Sequence, residues 1–162
     1  MLSTARAAES TAPSLQDMQI VGRVLGFQAT PPTGQLTLGI VYNLNDGASL
    51  AEAQAMAALL RGGLAVGNLI LQPRLVDQAQ LAASRGYDAL MAASGLDEAA
   101  LEKTVASFRI PCLTLHVALV QHAACTVAIR SQPNVSILVS DPNAAAGGVR
   151  FATAFRMMVQ EL

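Results

Sequence analysis

Short apolar runs of strand length alternate along this chain with stretches of helical period, and that alternation limits the fold more than any other feature. The runs cover residues 36–42, 66–72, 88–93 and 110–117, the second closed by Pro73 and the last opened by Pro111. Helix signals fill the gaps. Leu15, Met18, Val21 and Val24 or Leu25 form a helical stripe before the first run. Ser49 and Glu52 make a capping-box pattern for a helix reaching about Arg61, where Gly62-Gly63 stop it. Asp77 with Gln80 repeats the pattern and Arg85-Gly86 mark its end. Asp97 caps a helix whose Leu101, Val105 and Phe108 would face a core. Strands alternating with helices predict a mostly parallel sheet covered by helices.

The last third departs from that rhythm. Runs at 124–130 and 135–139 are separated by Ser131-Gln132-Pro133-Asn134, which reads as the turn of an antiparallel hairpin. Asp141-Pro142 supplies an N-cap and a first-turn proline. Beyond Gly147-Gly148, Phe151, Phe155, Met158, Val159 and Leu162 fall at helical spacing and predict a closing amphipathic helix. The expected architecture is one three-layer α/β domain over residues 15–162. Its sheet is mostly parallel, flanked by helices, with a C-terminal antiparallel hairpin, as in a flavodoxin-like half or one lobe of a periplasmic binding protein. Residues 1–14 are small and polar and predict a mobile segment. Within it, Ala5-Arg6-Ala7 resembles the A-x-A end of a secretory signal, although no apolar region precedes it. A plain Ala/Ser-rich tail is the other reading.

Composition removes several classes of function. A length of 162 residues suits one domain with its own core. Only 13% of residues are charged, the net charge is −1, and Lys103 is the sole lysine. Nucleic-acid binding and attraction to anionic membranes both need a basic footprint that is missing here. Residues 110–129 carry no formal charge over nearly a bilayer's span, but they include Pro111, His116, Gln121 and His122. Two buried strands explain the stretch better than a membrane helix, so no membrane insertion is expected.

Catalytic fingerprints are absent. No glycine-rich phosphate loop follows a strand, Ser94 lacks the preceding glycine of a nucleophile elbow, and no zinc-protease motif occurs. Asp77, Asp97, Glu98 and Asp141 sit at helix starts, where the helix dipole accounts for them. Neither enzymatic activity nor a cofactor is expected. Cys112, His116, His122 and Cys125 have soft-ligand chemistry, but Cys112 and His116 on one regular strand would lie roughly 13 Å apart. No metal site is therefore expected. Parallel strands would let a Cys112–Cys125 disulfide close, but the link of about six residues is short for a parallel crossover unless the loop is irregular. A simple hairpin would set Cys125 opposite His116 instead, and two buried free thiols are the favoured reading. Asn43, Asn45, Asp46, Ser94 and His116 gather at the presumed carboxyl ends of strands, where open sheets bind ligands. They are the candidate ligand-binding residues, against the alternative that Asn, Asp and Ser there only shape turns.

One resemblance adds to this reading. Pro111-Cys112-Leu113-Thr114-Leu115, Val135-Ser136-Ile137-Leu138-Val139, Asn143-Ala144-Ala145-Ala146-Gly147 and Val149-Arg150-Phe151 follow one another. This order resembles the C-terminus of the YfiR-like family of small bacterial periplasmic proteins. There a P-x-L-T-V strand leads to a strand pair, an Ala-rich helix, a glycine turn and a final apolar helix. Leu25-Gly26-Phe27 before Pro31-Pro32, and Val41-Tyr42-Asn43 with the helix after it, extend the likeness, without the family's frequent Trp before that proline. The resemblance implies export to the periplasm and a non-enzymatic inhibitor. Such a protein contacts the periplasmic part of a membrane-bound signalling enzyme, typically one that makes cyclic di-GMP, and forms homodimers. The alternative is a small-ligand-binding or transport-associated periplasmic protein. The family's own cysteines do not map onto Cys112 and Cys125.

Overall fold

The computed structural model describes residues 12–156 and 160–161. Eight strands form one sheet: β1 (Gly34–Tyr42), β2 (Leu64–Val66), β3 (Leu69–Asp77), β4 (Ala89–Ala92), β5 (Cys112–Thr114), β6 (Val127–Arg130), β7 (Ser136–Val139) and β8 (Gln160–Glu161). Their spatial order is β2-β3-β1-β4-β5-β6-β7-β8. The β3-β1-β4-β5-β6 block is parallel throughout, whereas β2 pairs antiparallel with β3 and β7 antiparallel with β6. The expected α/β architecture and its C-terminal hairpin are both present.

Alternation along the strands sets the two outer layers. In β1, Leu36, Leu38 and Ile40 face one side and Val41 the other; in β4, Ala89 and Met91 oppose Leu90 and Ala92. The first face is covered by α1 (Leu15–Gly26), α2 (Gly47–Leu59), α6 (Asp141–Ala146) and α7 (Thr153–Arg156). The second is covered by α3 (Gln78–Leu81), α4 (Glu98–Phe108) and α5 (Val117–Gln121). Ser14 caps α1 in a reciprocal capping box with Asp17, and the Asp97 carboxylate caps α4 through the Ala100 N–H.

Several sequence expectations need correction. The helix at Ser49 begins earlier, at Gly47, because the Asp46 carboxylate takes the Ala48 and Ser49 N–H groups as N-cap. The run at 66–72 is two strands, β2 and β3, folded about Gly67-Asn68, and Pro73 lies inside β3 rather than ending it. The Gly34 N–H donates to the Asn68 carbonyl, so alternate β3 residues, Pro73 among them, turn their backbone outward. A proline without an N–H suits that outer lane and blunts it, which fits the end of β2 pairing at Leu71. The helix expected from Asp77 to Arg85 lasts four residues, and the Asp77 side chain does not cap it. Before α6, Ser140 rather than Asp141 is the N-cap, with Asp141 in the first turn.

The closing amphipathic helix is also shorter than its pattern implied. Phe151 forms an isolated bridge with Gln28, α7 holds four residues, and β8 pairs parallel with β7. Phe151 and Phe155 are buried as expected, and Phe155 stacks on Phe27 with ring centroids 5.0 Å apart. Met158, Val159 and Leu162 lie outside the described residues, as does most of the N-terminal segment.

The largest correction concerns the cysteines. The expected strand at 110–117 is only three residues long, and His116 has already left it to stand at the N-cap of α5. The connection to β6 therefore runs over residues 115–126, long enough for a parallel crossover carrying a short helix. With Leu113 beside Val127 in parallel register, the entries of β5 and β6 adjoin. Cys112 and Cys125 form a disulfide with their Cα atoms 4.9 Å apart, and neither is a free thiol. Both residues are buried.

Two stability measurements follow from this packing. Replacing both cysteines with alanine opens a loop of sequence separation 13. It should lower the unfolding free energy by about 3 kcal/mol in urea denaturation under non-reducing conditions. Phe155→Ala should cost about 3–5 kcal/mol by the same assay, since the ring is fully enclosed. A loss below about 1 kcal/mol for Phe155→Ala would contradict the core placement.

Candidate functional site

A doubly wound sheet has one place where the chain reverses its direction of winding. Here the chain passes from β1 to β3 on one side, then returns to β4 on the other, so the reversal lies between β1 and β4. Ligands of open α/β sheets sit outside the strand carboxyl ends at such a point. The β1–α2 loop brings Asn43, Asn45 and Asp46 there, the β4–α4 loop brings Ser94, and the chain after β5 brings His116. All five candidate residues thus occupy one rim of the domain.

Most of their polar atoms are engaged in holding the loops. The Asn43 side-chain amide donates to the Gly95 carbonyl at 2.9 Å, tying the first loop to the second across the reversal point. Its oxygen accepts the Asn45 N–H at 2.9 Å, and its own N–H donates to the Ser49 hydroxyl at 2.8 Å. Asp46 caps α2 and its other carboxylate oxygen lies against Gly95. Gly95 has φ +75°, and any side chain there would collide with that carboxylate. The Asp77 carboxylate takes the Leu44 N–H, and Gln78 takes the Asp97 N–H. Asn45 and Leu44 are exposed on the outside of this knot.

Glu52 is the central member that the sequence reading missed. Its carboxylate accepts the Ser94 N–H at 3.1 Å and meets His116 Nε2 at 2.9 and 2.8 Å. One side chain of α2 thereby joins the loops after β4 and β5. The capping-box pattern with Ser49 had given Glu52 a local role, although Ser49 is in fact buried and bonded to Asn43. The only signal in the sequence was an acidic residue one turn inside a helix that starts at a strand's carboxyl end. His116 is fixed further by its own N–H, which donates to the Thr114 hydroxyl.

Chemically the rim is a set of satisfied hydrogen bonds around an oriented imidazole. Among the described residues the His116 ring is bonded to the Glu52 carboxylate and to no hydroxyl or thiol, since Thr114 meets only its backbone N–H. The four soft-ligand side chains are dispersed: the cysteines are bonded to each other, His116 to Glu52, and His122 to Glu98 on the surface. Clefts of about 610 and 290 Å³ open elsewhere, the first between α2 and β3 and the second beside Phe108.

Two substitutions test the knot. Glu52→Ala removes the acceptor of a partly buried N–H and the partner of His116, and should destabilise by about 1–3 kcal/mol in denaturant titration. It should also release the His116 ring, seen as averaged imidazole resonances by NMR. Gly95→Ala, forced into left-handed backbone against Asp46, should cost more than about 1 kcal/mol.

No family model matches the chain, and no curated protein matches it. Among solved structures it is similar to the crystal structure of a conserved domain protein from Vibrio cholerae, with a TM-score of 0.59 and 12% sequence identity. The match covers 93% of this chain and 60% of that one, so the chain spans less than two thirds of that protein's length. At this identity the likeness is one of fold.

Proposed function

We propose that this protein is a periplasmic regulator of the YfiR-like kind. It performs no chemistry itself and acts by contact with the periplasmic part of a membrane-bound signalling enzyme of the cyclic di-GMP pathway. The observation that carries this reading is the state of the rim. The crevice that open sheets use for ligands is bridged by Asn43 and Gly95, and the side chains of Asn43, Asp46 and Glu52 are taken up in holding loops together. What the rim offers outward is a shaped surface, with Leu44 58% exposed beside Asn45. That suits recognition of another protein better than enclosure of a metabolite.

Two further features support it. The order of β5, hairpin, short Ala-rich helix and glycine turn follows the succession on which the YfiR-like resemblance rests. A buried disulfide is at home in an oxidising compartment such as the periplasm. Among the described residues no helix is long and apolar enough to cross a membrane. The resemblance also makes the working form a homodimer.

The test is capture at the rim. A photo-crosslinking residue in place of Asn45, in cells, should trap an inner-membrane protein bearing a cyclase domain, and deletion of the gene should raise cyclic di-GMP. Leu44→Arg should reduce capture about tenfold or more if Leu44 lies at the centre of the contact. Recovery of no membrane partner, together with a metabolite that raises the melting temperature, would favour the ligand-binding alternative.

A further inference from the structure

At the end of the sheet opposite the rim, a cleft of about 290 Å³ is lined by Arg85, Gly86, Tyr87, Ser107, Phe108 and Ile110. It is walled by the segment that leads into β4 and by the C-terminal turn of α4. We propose that this cleft binds a small oxyanion, the phosphate or carboxylate group of a small molecule whose apolar body lies on Phe108 and Ile110.

The guanidinium of Arg85 is already in place. Its Nη1 donates to the Ala82 and Ser84 carbonyls at 2.8 and 2.6 Å, and its Cζ lies 5.0 Å from the centre of the Phe108 ring. Arg74 braces the same segment. Its Nη1 donates to the Arg85 carbonyl, and its guanidinium covers the Tyr87 ring, which stacks on Phe108 at 6.5 Å. Among the described residues neither arginine has a carboxylate within ion-pairing distance. The acid next along the chain, Asp88, is engaged with the Thr37 N–H. Arg85 thus keeps its charge and its remaining donors for a partner, and a guanidinium fork matches planar or tetrahedral oxyanions.

The backbone adds an independent feature. The consecutive N–H groups of Arg85, Gly86 and Tyr87 have no protein acceptor among the described residues, and Gly86 has φ +97°. Successive free N–H groups around a left-handed residue are the elements of an anion-binding nest. Ser107 adds a hydroxyl at the cleft's edge, and the stacked rings add an apolar wall. A volume near the lower limit of ligand sites restricts the occupant to a small molecule.

The experiment is an amide-resolved NMR titration of the oxidised full chain with inorganic phosphate and, separately, with benzoate. Sodium chloride at matched ionic strength is the control. The expected result is saturable shifts at Arg85, Gly86, Tyr87 and Ile110 with one of the two probes, and which probe saturates identifies the anionic group. Arg85→Gln should weaken binding about tenfold or more, and Arg85→Lys should restore part of it because the charge remains without the fork. Ser107→Ala, which leaves the bonds of Arg85 intact, should weaken it by a smaller factor. Shifts that stay linear, that chloride reproduces, or that centre elsewhere overturn the proposal, as does an unchanged isotherm in a folded Arg85→Gln protein. If Arg85→Gln does not fold, the wild-type shift map and the Ser107→Ala isotherm decide by the same criteria.

Discussion

Burial of both faces of the central strands is the constraint on which the rest of the structure depends. β1 and β4 carry apolar side chains on each side, so neither face can meet water and helices must cover both. Once the faces are closed, polar groups can gather only where the strands end. Among the described residues those ends form the rim on the carboxyl side and the cleft of about 290 Å³ on the amino side. Their contents differ for a physical reason. Asp46, Asp77 and Asp97 stand on the rim because α2, α3 and α4 begin there, whereas Arg61, Arg85 and Arg109 follow the ends of those helices.

Much of the layered fold was legible in the chain itself. Apolar runs between capping signals mark β1, β4, β6, β7 and the helices between them, because both depend on local chemistry. The failures cluster where local pattern and tertiary contact compete. Glu52 looks like a capping residue by spacing, yet its carboxylate points across two loops to Ser94 and His116. Pro73 looks like a strand breaker, yet β3 accepts it on its outer side because β2 pairing has ended at Leu71. The periodic apolar residues after Gly148 imply a long helix, whereas Phe151 and Phe155 reach the core from a bridge and a single turn. Five candidate residues do share one rim, but the sequence could not show that Asn43 and Asp46 would be occupied in holding it.

The cysteines fail for a more specific reason. A strand of eight residues and a short link imply a hairpin; a strand of three residues with a longer link permits a parallel crossover. Only strand length separates the two, and length is the property that apolar runs define least well. The parallel arrangement in turn explains Asn143, whose amide donates to the Val120 and Cys125 carbonyls and so joins α6 to the end of α5. The first turn of α6 thus stabilises the crossover that the disulfide closes.

The enclosure of that bond has a kinetic consequence. Cys112 is fully buried and Cys125 is 1% exposed, with β4, β6 and α5 around them. Thiol–disulfide exchange requires an attacking thiolate to reach a sulfur. In the closed fold there is no approach, so each reduction event must wait for β5 and β6 to part. At high reductant the rate then follows the frequency of that opening rather than the strength or amount of the reductant. The bridge would behave as a clock for local unfolding, and a protein bound across α5 or α6 would slow it without touching either sulfur.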